Sequence, residues 1–143
     1  MLLVVHDDEF FTRSKHEAIW GTVYFQIGDH QFFPGQGWTD LVVAFVGVWI
    51  EGLIRVADGS STEERIPFFD GPFAVDVSAA QKGFVDLSFL RDEKLVISKK
   101  VETRHLLAHG RSVARDLLSL CQQRGWSNKD SENLARLVES MRY

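Results

Sequence analysis

Over residues 18–27 apolar and polar positions alternate: Ile19, Val23, Phe25 and Ile27 share one parity, and Trp20, Thr22, Tyr24 and Gln26 the other. Successive side chains on a strand point to opposite faces, so this pattern predicts a half-buried strand. Gly28, Asp29 and His30 supply turn chemistry before Gln31, Phe32 and Phe33, which predicts a short hairpin stopped by Pro34 and Gly35. Leu2 to Val5 offer a further first strand.

The period then changes. Thr39 has the chemistry of a helix N-cap with Asp40 in the first turn, and a helical pattern follows through about Ala57. Asp40, Ala44, Gly47, Glu51 and Arg55 fall on one narrow face, while Leu41, Val42, Phe45, Val46, Trp49, Ile50, Leu53 and Val56 cover most of the rest. A helix so apolar must be packed on several sides. Asp58 to Ser61 end it in a loop.

Four short β patterns come next. Ile66 and Phe68 precede Asp70, Gly71 and Pro72; Phe73, Val75 and Val77 then alternate with Ala74, Asp76 and Ser78; Val85, Leu87 and Phe89 alternate with Phe84, Asp86 and Ser88; and Arg91 to Glu93 turn the chain into Leu95, Ile97 and Val101. An antiparallel meander with one wet face is expected. From about Thr103 the pattern is helical again: Leu106, Gly110, Val113, Leu117 and Cys121 centre an apolar stripe opposite Arg104, Arg111 and Arg115, with Gly110 suggesting close approach to a neighbour. Gly125 fits a C-terminal stop, and Ser127 or Asn128 can cap a last helix carrying Leu134, Leu137, Val138 and Met141 inward. The expected fold class is α+β: a mainly antiparallel twisted sheet, N-terminal hairpin plus four-strand meander, packed on one long buried helix and two C-terminal helices in a single domain spanning residues 1–143.

Composition narrows the function classes. The chain has 143 residues, 45% hydrophobic and 25% charged, with one cysteine, Cys121, which excludes an intramolecular disulfide framework and a Cys-based zinc site. The longest apolar run, Leu41 to Ile50, is half the roughly 20 residues a membrane helix needs. The short apolar start followed at once by His6, Asp7, Asp8 and Glu9 is the wrong pattern for a signal peptide, so the protein is expected in the cytoplasm. Residues 1–102 carry nine Lys/Arg against sixteen Asp/Glu, and residues 103–143 carry seven against four. An acidic body with a mildly basic tail argues against nucleic-acid binding, which needs a concentrated basic face, and suits a cationic partner.

Few residues suggest chemistry. There is no nucleophile elbow, no Gly-rich phosphate loop and no dinucleotide fingerprint. His105 and His109 are four apart on a predicted helix, a spacing two metal ligands can use, but no Glu lies between them and a third ligand would have to come from elsewhere, such as His6 with Asp7. Boundary histidines are the preferred reading, and no metal or cofactor is expected. If Val77 faces Val85, Val75 faces Leu87 and Phe73 faces Phe89, then Asp76 lies directly opposite Asp86; like charges so placed destabilise a sheet unless a cationic partner, or Lys100 on a diagonal, neutralises them. Trp20 and Tyr24 lie on the parity opposite the inferred core, so they either meet a second packed layer or form an exposed anchor for a partner.

Three stretches carry a resemblance. Phe33-Pro34 followed by Trp38-Thr39-Asp40, then Trp49 with Ile50, then Phe68-Phe69-Asp70-Gly71-Pro72-Phe73, resemble small bacterial α+β proteins that occur among the immunity proteins of polymorphic toxin systems. The likeness covers about residues 17–90, and its motifs are structural. It implies a non-catalytic domain that neutralises a cognate toxin by direct binding, with Asp76, Asp86, Asp70, Trp20 and Tyr24 as candidate contacts to a cationic partner. A homo-oligomeric adaptor, with a homodimer its simplest form, is the alternative reading; a small-molecule-binding enzyme ranks third.

Overall fold

The computed structural model describes residues 1–141. The strands are antiparallel, as the alternation predicts, and divide between two sheets. In the first, β3 (Ile19–Gly28) is the central strand, paired with β1 (Leu2–His6), β2 (Thr12–Arg13), β4 (Gln31–Phe33) and β5 (Thr39–Asp40). The second is the meander β6 (Glu63–Pro67), β7 (Phe73–Ala79), β8 (Phe84–Arg91) and β9 (Lys94–Glu102) in sequence order. Helix α1 (Val42–Ala57) touches β3, β6 and β7, and also α2 (Thr103–Arg124) and α3 (Lys129–Ser140). Its near-continuous apolar surface is the reason it can be surrounded. Among the described residues, no helix is long and apolar enough to cross a membrane.

Helix ends follow local chemistry at α2 and α3. Gly125 stops α2 in the left-handed region at φ 68°, where glycine bears no Cβ penalty. Asn128 and Ser131 form a reciprocal capping box on α3. Gly110 of α2 faces Ile50 of α1, where a Cβ would sit 3.5 Å from the Ile50 side chain.

At the start of α1 the structure departs from the sequence pattern. Thr39 does not cap the helix: Thr39 and Asp40 form strand β5 against Thr22 and Gly21, and the helix begins at Val42 without a side-chain cap. Asp40, expected on the polar face of that helix, is fully buried. Its carboxylate accepts hydrogen bonds from the Leu41 N–H at 2.7 Å, the Trp38 indole at 3.1 Å and the Asp70 N–H at 3.2 Å. The last donor lies thirty residues away in sequence, a demand no local pattern records. Gly47, assigned to the same polar face, is also buried.

One aromatic cluster joins the layers. Phe25 of β3 meets Trp49 and Phe45 of α1 at ring-centroid distances of 4.9 and 6.1 Å, Phe89 of β8 at 5.5 Å and Phe68, just after β6, at 6.2 Å, all edge to face. Phe33 adds contacts to Phe68, Phe73 and Phe89, and Phe45 stacks on Phe68 at 4.2 Å. The edge-to-face geometry sets positive ring edges on negative ring faces. Because Phe25 of the first sheet contacts both the meander and α1, Phe25→Ala should lower the unfolding free energy by about 3–5 kcal/mol, read as a fall in the urea midpoint, with Phe25→Leu intermediate. A loss under about 1 kcal/mol would show that this cluster is not the joint between the sheets.

Candidate functional site

One open concavity is built around the turn between β6 and β7. Phe68 N–H donates to the Phe73 carbonyl at 3.0 Å and closes the turn. Asp40 holds it from below through the Asp70 amide. Gly71 has φ 75°, and a Cβ there would lie 2.9 Å from the Phe73 ring and 3.2 Å from Trp38, so conformation and space both require glycine. Opposite stands the β8–β9 turn, fastened by the Asp92 N–H to the Pro72 carbonyl at 2.9 Å. Asp92 and Glu93 have φ of 50° and 65°, the left-handed pair that a two-residue hairpin turn demands and that Asn-Gly usually supplies. A non-glycine residue there costs on the order of 1–2 kcal/mol.

Arg65 of β6 reaches this turn. Its Nη1 donates to both Glu93 carboxylate oxygens at 2.7 Å, while Nε and Nη2 hold the two oxygens of Asp76 at 2.7 and 2.9 Å. These hydrogen bonds, from Asp76 first and Glu93 second, push the already high pKa of the guanidinium further up. Between the two turns lies an open groove of about 460 Å³ with Pro67, Phe68, Pro72, Phe73 and Leu90 among its apolar lining and Arg65, Asp92 and Glu93 as its charged lining.

The residues singled out from the sequence do not converge. The β7–β8 register is offset by two residues from the expected one: Ala79 pairs with Val85, Val77 with Leu87 and Val75 with Phe89, so Asp76 faces Ser88 and Asp86 faces Ser78. The hairpin is centred on Lys82 and not on Gln81, its loop closed by Ala80 N–H to Phe84 O at 3.1 Å and Phe84 N–H to Gln81 O at 2.9 Å. An offset of two preserves which side chains face the core. Asp76 is taken up by Arg65, and Asp86 lies directly opposite Lys100, 3.8 Å from its Nζ. The wet face of the meander is therefore charge-paired at both aspartates, and Asp86 lies at the far end of the β7–β8 ladder from the groove.

Asp70 is exposed on the groove's own turn. Trp20 and Tyr24 belong to the other sheet. Trp20 is half-buried opposite Thr12, and Tyr24 is only 5% exposed, its hydroxyl 3.1 Å from His6 Nε2 and its ring edge-on to Phe32. Tyr24 is accordingly a packed residue, not an exposed anchor. Arg65, Asp92 and Glu93 escaped the sequence reading as a site. The Arg91–Glu93 turn is legible in the sequence, but the convergence of Arg65 on it requires the sheet register.

The histidines are engaged separately. His109 Nε2 lies 2.9 Å from the Leu3 N–H and 3.1 Å from its carbonyl, plugging the outer edge of β1, and the His105 ring lies parallel to it at 6.3 Å. Asp7 pairs with Arg124 at 3.2 Å. Among the described residues no three His, Cys, Asp or Glu side chains are grouped to hold a metal ion. Cys121 is buried in the core, and that burial pushes its thiol pKa up, which keeps it in the unreactive protonated form.

Gly71→Ala should destabilise the protein by about 1–3 kcal/mol, combining the positive φ with overpacking on Phe73, and should shift the Phe73 and Trp38 NMR resonances. Unchanged stability and spectra would mean that the turn does not depend on this close approach. In comparisons with known proteins, no family model, no curated protein and no solved structure matches the chain.

Proposed function

We propose that this chain is a non-catalytic, cytoplasmic protein-binding domain that neutralises a cognate bacterial toxin by direct contact. The observation that carries the reading is the groove between the 68–73 turn and the Asp92–Glu93 turn. Its walls are tied by backbone hydrogen bonds and its floor is apolar, while its border is charged. A preorganised apolar floor inside a polar rim is the pattern of a protein-binding hot spot, and its open mouth suits a loop carried by another protein. The stretches that resemble immunity proteins also support the reading, because Phe68, Gly71, Pro72 and Phe73 line this groove while Trp38 packs on Phe73 and Asp40 holds the Asp70 amide behind them. Charge on the border then favours encounter with a partner of opposite sign.

The test is coexpression of the tagged chain with the proteins encoded immediately beside it, followed by recovery, mass spectrometry and a growth assay of any partner. A stoichiometric partner that is toxic alone and harmless with this chain is the expected outcome. Recovery of the chain by itself with its neighbours present overturns the reading.

A homo-oligomeric adaptor is favoured by one other observation. Strand β9 is a sheet edge, and Leu95 and Val96 on it are 61% and 50% exposed. Unpaired edge groups beside exposed apolar side chains are a template for pairing with a second chain. Three lysines on the same strand, Lys94, Lys99 and Lys100, oppose this, since charged edges are a common guard against such pairing. A monomer is therefore expected in sedimentation equilibrium at micromolar concentration; a dimer that Val96→Lys dissolves would move the adaptor reading to first place.

A further inference from the structure

We propose that the free edge of β9 takes an extended acidic segment of the partner as an added strand, paired along residues 97–102, with two neighbouring carboxylates set against Lys99 and Lys100. This rests on the protein-binding reading above and adds to the groove a second contact on the same sheet.

β9 is the one long sheet edge left open among the described residues. The far edge of the meander, β6, packs on α1, whose Arg55 holds Glu64 of that strand. In the first sheet the outer edge of β1 is plugged at Leu3 by His109, and β2, β4 and β5 are two or three residues long. β9 pairs with β8 on one side and with no strand on the other, and seven of its nine residues are exposed. The ladder skips Val96, so its regular part is residues 97–102, paired one to one with residues 84–89 of β8. Every second residue of such a stretch turns its N–H and C=O away from the neighbouring strand, and among the described residues no other element bonds these groups. An added strand satisfies them, which is how main-chain pairing supplies affinity without a deep pocket.

Charge selects the occupant. β9 carries three lysines against Glu102, a net of +2 on a chain whose net charge is −4. Arg55 and Arg65 are held by carboxylates, whereas Lys94 and Lys99 have no ion pair among the described residues and Lys100 has only the exposed Asp86 at 3.8 Å. Two copies joined through this edge would set +2 against +2, so the lysines that guard against self-pairing favour a strand that bears carboxylates.

The pleat then places the two acids. Ile97, Lys99 and Val101 pair with the buried Phe89, Leu87 and Val85, while Ser98 and Lys100 pair with Ser88 and Asp86 on the wet face. Lys99 therefore stands on the core-side parity between two half-buried apolar residues. A fitting strand presents one carboxylate to Lys99 between apolar side chains for Ile97 and Val101, and a second, on the other face, to Lys100. A nucleic-acid strand carries the charge but no ladder of backbone amides.

The test uses the full chain and the peptide acetyl-Thr-Val-Glu-Glu-Thr-Val-Thr-amide. Its controls are the peptide with both Glu replaced by Lys, two versions N-methylated on alternate amides in the two phases, and a single-stranded oligonucleotide. With ¹⁵N-labelled protein, the acidic peptide should give saturable shifts at β9 amides and slow hydrogen exchange at alternate residues of 97–102. The lysine peptide and the oligonucleotide should do neither, and at least one N-methylated version should lose binding. Lys99→Glu should weaken the acidic peptide about fivefold or more and strengthen the lysine peptide. Lys99 is exposed and outside every ion pair among the described residues, so this variant should keep its fold. Failure of the acidic peptide to saturate, equal binding of the lysine peptide or the oligonucleotide, retention by both N-methylated versions, or indifference to Lys99→Glu overturns the proposal.

With the recovered partner the two readings separate. A complex whose affinity Lys99→Glu leaves unchanged overturns the added strand while the neutralisation reading stands. Specific pairing of the acidic peptide without any recoverable partner supports the added strand and overturns neutralisation.

Discussion

Phe25 is the residue on which the two-sheet arrangement depends. A strand buried on both faces and a four-stranded meander share no ladder hydrogen bond, so side-chain packing, both directly between the sheets and through α1, must join them. The edge-to-face rings of Phe25, Trp49, Phe68 and Phe89 make that joint, and Phe33 extends it toward Phe73. The cluster therefore also places the floor of the groove, because Phe68 and Phe73 belong to both. Packing and candidate function are coupled through these two rings, and a displacement of the meander relative to β3 would deform the groove.

A polar contact sharpens what the rings hold in place. Burying a carboxylate away from water is costly unless its lone pairs are satisfied, and Asp40 is satisfied by three N–H groups: the Trp38 indole just before β5, the Leu41 amide at the entry to α1 and the Asp70 amide in the 68–73 turn. Hydrogen bonds are directional where ring packing is not, so Asp40 fixes the turn's orientation. Asp92 N–H to Pro72 then fixes the facing turn to it, and Arg65 fixes that turn to β6 and β7 through Glu93 and Asp76. Each of these three ties is short in space and long in sequence. Together they tie the turn that carries the two positive-φ acidic residues to its neighbours.

Charge on the meander follows the same logic. The expected clash of Asp76 with Asp86 arose from centring the hairpin on Gln81; the actual hairpin is centred on Lys82, and each aspartate finds a basic side chain on an adjacent strand. Exposed pairs such as Lys100 with Asp86 contribute little to stability, but they remove both aspartates from the pool of free acidic charge.

Residue periodicity and local cap chemistry determined the α+β class, the β3–β4 hairpin, the four meander strands, the three helices, the stop at Gly125 and a cap at Ser127 or Asn128, because each depends on a few neighbouring residues. In and out parities also survived the register offset, since an even offset leaves every side chain on its face. Only the tertiary structure decided that the strands form two sheets, that Asp40 leaves the helix for the core, that Tyr24 is packed beneath His6 and Phe32, and that Arg65 meets Glu93. These four outcomes depend on partners eighteen to thirty residues apart or on which strands become neighbours, and an alternation pattern contains neither. Of the candidate site, the turn residues Asp70 and Gly71 were legible in advance because turn chemistry is local. The groove was not, because it exists only where two distant turns are brought face to face.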